Sequence, residues 1–270
     1  VAKEKTSDNK PGKPAKSTPL ADRLAAVRER IAKACDRAKR DAAEVTLVAV
    51  TKYAPPEDIR EVLSLGVADL GESRVQQLAQ RAAQINEYHQ RRIAGGNDPT
   101  LPGKLRWHMI GHLQRNKVKQ LLPHVSYIHS IDSLRLAEEL EAQLQKSDRK
   151  LPVLLQVNAS EEPQKFGVAV GAAPHLAEQI ATMKHLQLAG LMCMAEHGAT
   201  EKQARFTFGR TREIFEDLRF NKVGGASFRH LSMGMTDDFE WAIEEGSTLV
   251  RIGSAIFGGK APDHADDEGE

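Results

Sequence analysis

The stretch VTLVAVTK (residues 45–52), followed by YAPPEDIREVLSLG (53–66) and VADLG (67–71), decides the fold. The first run is apolar and β-branched, as a buried strand requires, and Pro55 and Pro56 stop it. The middle stretch has amphipathic helical spacing and ends at Gly66, which takes the left-handed C-terminal conformation cheaply. A second short strand follows. Parallel strands joined by crossover helices produce this cadence.

Outward from that unit the cadence continues. Strands are expected at 45–51, 67–71, 105–111, 126–131, 153–158, 186–194, 228–232 and 248–252, which makes eight. Helices are expected at 56–65, 73–88, 133–145 and 174–183, with Asp132 and Ser133 as caps of the third. An extra helix, Leu20 to Asp41, precedes the first strand and is expected to cover barrel wall left bare because no helical segment follows the eighth. Eight such units also suit an open doubly wound sheet, but neither GxGxxG nor GxxxxGK[ST] occurs. The expected fold is therefore α/β, a single-domain (β/α)₈ TIM barrel over residues 20–260, with disordered tails at 1–19 and 261–270.

Composition narrows the function. Lys plus Arg total 38 and Asp plus Glu 37, so a net charge of +1 provides no global field toward nucleic acid or an anionic membrane. Any anion site must be local. Two cysteines, Cys35 and Cys193, give no disulfide framework and no zinc spacing. No run is apolar enough for a membrane span, and a cytoplasmic monomer is expected.

Barrel chemistry sits at the C-terminal ends of strands. Lys52 closes the first strand there. The last strand ends in Arg251, Gly253 and Ser254, and the one before it in Ser232, Gly234 and Thr236. Glycine lets a backbone approach an anion closely, exposed amides and hydroxyls cradle phosphate oxygens, and loops after strands seven and eight are the usual phosphate grip of such barrels. A phosphate grip beside a strand-end lysine suggests a phosphorylated carbonyl compound held as a Schiff base. At an unperturbed pKa near 10.4 only about one lysine amine in a thousand is neutral near pH 7.4, so a Schiff-base lysine needs burial or neighbouring cations such as Arg251.

The segments LVAVTK, RWHMIGHLQRNK, LLQVN, LAGLMCM and LSMGMTDDFEWAIEEGSTLVRIGSAIFG, in this order and spacing, closely resemble the pyridoxal phosphate homeostasis protein family, over about Leu20 to Gly258. The resemblance implies the fold-type III barrel of the alanine racemase N-terminal domain and pyridoxal 5′-phosphate as cofactor. It implies Lys52 as the Schiff-base lysine, Ser232 with the backbone of Gly253 and Ser254 as the phosphate cradle, and Arg251 against the pyridine nitrogen. Ser73, His108 and Met233 are further expected cofactor neighbours. Two positions depart from the family pattern: GESR stands at 71–74 where GEN and a tyrosine are usual, and Thr236 stands where serine is usual.

The resemblance implies a cofactor-holding protein of vitamin B6 and amino-acid balance without settled catalysis, with pyridoxal phosphate-dependent apo-enzymes as recipients of the cofactor. A fold-type III racemase is the first alternative. It needs a tyrosine from a separate β domain, and Tyr53, Tyr88 and Tyr127 lie outside that role. An interaction scaffold with a vestigial site is the second. His108 and His112 lack a third metal ligand; Gln114, Asn116 and Lys117 fit a helix start; Lys165 fits a surface lysine better than a second reactive amine. Asp237 and Asp238 suit a helix N-terminus, while Met192, Cys193 and Met194 suit the core.

Overall fold

A computed structural model describes residues 19–96 and 100–258. The expected tails lie outside the described residues, apart from Pro19, which opens the first helix. All eight strands form: β1 (Thr46–Val50), β2 (Asp69–Glu72), β3 (Arg106–Met109), β4 (Tyr127–Ile131), β5 (Leu151–Asn158), β6 (Leu186–Met192), β7 (His230–Ser232) and β8 (Leu249–Ile252). Each pairs in parallel with its sequence neighbour, and β8 returns to β1 through Thr46↔Leu249 and Val48↔Arg251, which closes the barrel. A two-residue strand, Val168–Ala169, adds to β5 outside this ring.

Side chains alternate along each strand, which sorts them into two layers. On β1, Ala49 and Leu47 pack outward against the helices, whereas Val48 belongs to a small inner cluster with Leu154, Ala189, Met192 and Leu249. The outer layer includes Trp107, Phe208 and Phe239, all fully buried. At about 25 cal/mol per Å² of apolar surface it is the main source of stability.

The helices are α1 (Pro19–Arg37), α2 (Pro56–Ser64), α3 (Val75–Ala94), α4 (Val118–Leu121), α5 (Leu134–Gln145), α6 (Ala173–Ala181), α7 (Glu201–Phe220), α8 (Phe239–Glu244) and α9 (Ser254–Phe257). On α1, Leu20, Leu24, Val27, Ile31 and Ala34 are buried at helical spacing. Arg23 Nε donates to Ile256 O (2.7 Å), and Arg30 and Arg37 pair with Glu240 (3.2 Å) and Glu244 (2.6 Å), so α1 is held on α8 and α9.

Four expectations about element ends need correction. The first helix stops at Arg37, because Lys39 turns to φ +55° and Asp41 caps a separate 3₁₀ turn, Ala42–Glu44. The helix expected at 73–88 begins at Val75 and runs on to Ala94. A helical turn, α9, does follow the last strand, and α1 packs beside it instead of replacing it. Ser133 makes no side-chain cap bond, and Asp132 is engaged by His112 Nδ1 (3.1 Å).

Candidate functional site

Lys52 continues the inward parity of Thr46, Val48 and Val50 and stands half-buried where β1 leaves the barrel. Its backbone is fixed from outside. Arg81, on α3, donates to the carbonyls of Thr51 and of Lys52 (3.2 Å to the latter) and pairs with Glu72 at 3.3 Å. Thr51 donates a short hydrogen bond to the same carboxylate and its N–H bonds Gly71 O at 2.9 Å. Burial pushes the Glu72 carboxyl above its ordinary range, against the opposing pull of Thr51 and the nearby cations Arg81 and Lys52, and Glu72 Oε2 is buried with no partner among the described residues. The Lys52 amine is unlike its backbone. Among the described residues it has no hydrogen bond or ion pair; the Tyr53 ring lies 5.0 Å from Nζ to the centroid, and the Glu72 carboxylate acts on it through its field alone.

Both neighbours of β1 present an inward glycine at this level. A Cβ on Gly253 would lie 3.1 Å from Val50 O and 3.3 Å from Val50 Cβ; one on Gly71 would lie 3.1 Å from Val48 Cγ1. These glycines keep side chains out of the space around the lysine's strand. Past β8, Ile256 and Phe257 both return their N–H to Gly253 O at 2.9 Å. This leaves the amides of Ser254 and Ala255 as open donors of the turn. Ser254 Oγ donates to Thr236 Oγ1 (3.0 Å), which brings two hydroxyls together at the rim. Gly234, at φ +90°, makes the bend before Thr236, and a Cβ there would come within 2.7 Å of Phe239 and Ala242.

Arg251 lies below this rim, 3% exposed. It donates to Ser232 Oγ (2.5 Å) and Cys193 O (3.0 Å). Burial depresses the guanidinium's proton affinity, opposed by the fields of Cys193 and Asp238. Ser232 also meets His129 Nδ1 at 2.9 Å, so its hydroxyl is committed inside the barrel and Thr236 supplies the hydroxyl beside Ser254.

The other expected neighbours are spread more widely. Ser73 is half-buried, with its backbone packed where a Cβ on Gly111 would need to be, 2.2 Å from Ser73 O. His108 is 1% exposed and deep in the barrel, bonded to His129 and Asp69. Met233 is fully buried in the outer layer, with its side chain turned to the helices. His112 stacks on Phe166, centroids 3.8 Å apart. Among the described residues no group of three metal-ligating side chains forms. Lys165 is tied to Glu162 and to Ala195 O (2.9 Å). Sequence reasoning missed Arg81, Glu72 and His129. The signal available for Glu72 was an acid at the end of a buried strand, which needs a partner.

The family profile described as "Alanine racemase, N-terminal domain" matches residues 20–261. A pyridoxal phosphate homeostasis protein of Pseudomonas aeruginosa is 37% identical over 241 residues, 89% of this chain and 96% of that protein. A solved structure of an unknown protein from Bifidobacterium adolescentis superposes with a TM-score of 0.80 at 36% identity, over 88% of this chain and 94% of that one. PipY of Synechococcus elongatus PCC7942, solved with PLP bound, superposes with a TM-score of 0.73 at 30% identity, over 88% of this chain and all of PipY.

Proposed function

This chain belongs to the pyridoxal phosphate homeostasis protein family, on the alanine racemase N-terminal domain fold, and from that premise we propose that it holds pyridoxal 5′-phosphate reversibly on Lys52. The observation that carries the reading is an amine at the barrel mouth with its backbone clamped and its nitrogen unpaired among the described residues. The residues present fit the cofactor: the inward glycines 71 and 253 leave a cradle that a Cβ would fill.

When bound, the cofactor supplies an aldehyde that condenses reversibly with a primary amine and releases water. Lys52 provides the nitrogen, and Arg81 keeps its turn in place. The amides of Ser254 and Ala255 and the hydroxyls of Ser254 and Thr236 face the phosphate's charge, with Gly253 allowing the close approach. Arg251 takes the pyridine nitrogen. A guanidinium only donates, so it leaves that nitrogen unprotonated and the ring a weak electron sink. Ser232 acts through Arg251, His108 acts at one remove below it, and Ser73 and Met233 wall the site by their backbones.

A weak electron sink suits storage better than carbanion chemistry. Three tyrosines are available for a racemase's second base, and each is engaged: Tyr53 beside the lysine itself, Tyr88 under Arg60, and Tyr127 stacked on His108. The relatives are named for homeostasis and not for a reaction. The proposal therefore includes no turnover, a monomeric protein in the cytoplasm, and apo-enzymes as recipients of the cofactor. None of the described helices is long and apolar enough to cross a membrane.

The test is borohydride reduction of the protein loaded with pyridoxal phosphate, followed by peptide mass spectrometry. A pyridoxyl group on Lys52, with loss of the absorbance near the visible edge in Lys52→Ala, is expected. An unchanged spectrum in that variant would overturn the reading.

A further inference from the structure

Arg251 is a buried cation with no carboxylate in ion-pair contact among the described residues. Asp238 acts on it only through its field, with its Oδ1 taken by Met235 N–H at 2.6 Å. What Arg251 does touch leads across the barrel. Ser232 Oγ lies 2.9 Å from His129 Nδ1, His129 Nε2 lies 2.9 Å from His108 Nδ1, and His108 Nε2 lies 2.9 Å from Asp69 Oδ1. Asp69 is anchored by a two-pronged Arg106 at 2.5 Å per prong. Ser232, His129, His108 and Asp69 are all 5% exposed or less, so water does not substitute for any link.

One proton arrangement satisfies the whole chain. A guanidinium has no acceptor, so Ser232 Oγ accepts from Arg251 and its own hydrogen goes to His129 Nδ1. His129 Nε2–H then donates to His108 Nδ1, and His108 Nε2–H donates to the Asp69 carboxylate. The reverse direction would leave the Ser232 hydroxyl hydrogen without an acceptor in a buried site. Burial, then the fields of His108, Arg251 and His230, pushes the His129 imidazolium well down, which agrees with a neutral ring passing one hydrogen bond along. Every dipole thus points the same way, from the cation on β8 to the anion on β2.

We propose that His129, His108 and Asp69 are positioning residues for Arg251: a one-way hydrogen-bonded relay through the barrel interior that orients the guanidinium and balances its charge at a distance. The relay's link to the cofactor ring rests on the proposed pyridoxal phosphate site; the relay itself does not. Other ionisable groups that face it are Tyr127, stacked on His108 at 5.0 Å, and His230, edge-on to Tyr127 at 6.2 Å, whose imidazolium burial pushes down to about 4.

Two measurements on the full chain decide it. Without ligand, ¹⁵N NMR of the histidine-labelled protein should show both His129 and His108 as the Nε2–H tautomer with an accepting Nδ1; an Nδ1–H on His129 overturns the proposal. With pyridoxal phosphate bound, His129→Leu cuts the relay, whereas His129→Gln keeps one acceptor and one donor. The Leu variant should bind the cofactor about tenfold more weakly, the equivalent of ~1.4 kcal/mol, and shift the pH profile of its absorbance, with Gln returning both toward wild type. Identical profiles and affinities in a folded Leu variant overturn the functional half. If the Leu variant does not fold, the tautomers of the wild-type protein and the Gln comparison still decide. Failure of the cofactor to attach at Lys52 would sink the proposed function and leave the NMR result standing on its own.

Discussion

Two lysines stand just past barrel strands, Lys52 after β1 and Lys165 after β5, and the protein treats them in opposite ways. At Lys52 the backbone is held, by Arg81 from α3 and by Thr51 N–H on Gly71 O, while the amine has no polar partner among the described residues. At Lys165 the amine is itself the staple. It ties Glu162 and Ala195 O together, in a loop further closed by Asn158 Nδ2 on Glu162 O (2.8 Å) and Gln156 Nε2 on Phe166 O (3.0 Å). An ammonium held by a carboxylate and a carbonyl has no lone pair to offer a carbonyl compound. A reactive lysine at a strand end needs its turn fixed by other residues, so that its nitrogen is left out of the structure's own bonding.

The contrast breaks most completely if the clamp on Lys52 is removed. Arg81→Met deletes charge-assisted bonds to two carbonyls and strands the Glu72 carboxylate, so cofactor attachment at Lys52 should weaken roughly tenfold or more and stability should fall by about 2–3 kcal/mol. The pH dependence has a defined sign. A carboxyl whose folded-state pKa is raised binds more protons folded than unfolded, so stability falls as pH rises through the window above 4.5, and loss of Arg81 widens that window. The melting-temperature deficit of Arg81→Met should therefore grow from acid toward neutral pH. Adding Glu72→Gln should recover stability without recovering attachment. A variant that binds the cofactor as wild type does would show that the clamp is irrelevant to the amine.

The converse change tests the other loop. Glu162→Gln keeps the size of the side chain and removes its charge, which leaves the partly buried Lys165 amine held only by neutral acceptors such as Ala195 O. Reductive labelling of Lys165 by pyridoxal phosphate, measured by peptide mass spectrometry, should rise by roughly tenfold relative to wild type, since breaking a partly buried pair costs more than the ~1 kcal/mol of an exposed one. Labelling of Lys52 in the same sample should stay as it was.

How far the sequence showed this contrast depends on which interactions are local. The strands were legible because inward and outward positions both carry apolar residues, and Lys52 was legible because it ends such a run at two prolines. The glycines at 234 and 253 could be placed at the mouth by counting strands. The clamp could not, since Arg81 sits 29 residues from Lys52 on a helix face that looks like any amphipathic surface. His129 was equally silent: only barrel closure brings it within reach of Ser232, 103 residues away. His108 was expected near the cofactor from the family pattern, and its alternation on β3 instead carries it into the buried chain. Asp132 looked like a helix cap by spacing, but His112 from the neighbouring strand's loop competes for the same carboxylate.

The Lys52 amine has an aromatic neighbour as well as the field of Glu72. Tyr53 is about half exposed, and its ring stands 5.0 Å from Nζ. An aromatic face attracts the ammonium and has no comparable hold on the neutral amine, so the ring restrains Lys52 in the same sense in which Glu162 restrains Lys165, but far more weakly. At a solvent-accessible site the interaction is worth about 0.5–1 kcal/mol, which corresponds to a factor of roughly two to five. Tyr53→Leu should therefore speed cofactor attachment at Lys52 by about that factor, whereas Tyr53→Phe, which keeps the ring face, should leave the rate as it is in wild type. Stopped-flow absorbance on Tyr53→Met, which keeps the bulk and removes the aromatic face, separates this from a steric effect: attachment as slow as in wild type would mean that the ring merely obstructs the mouth.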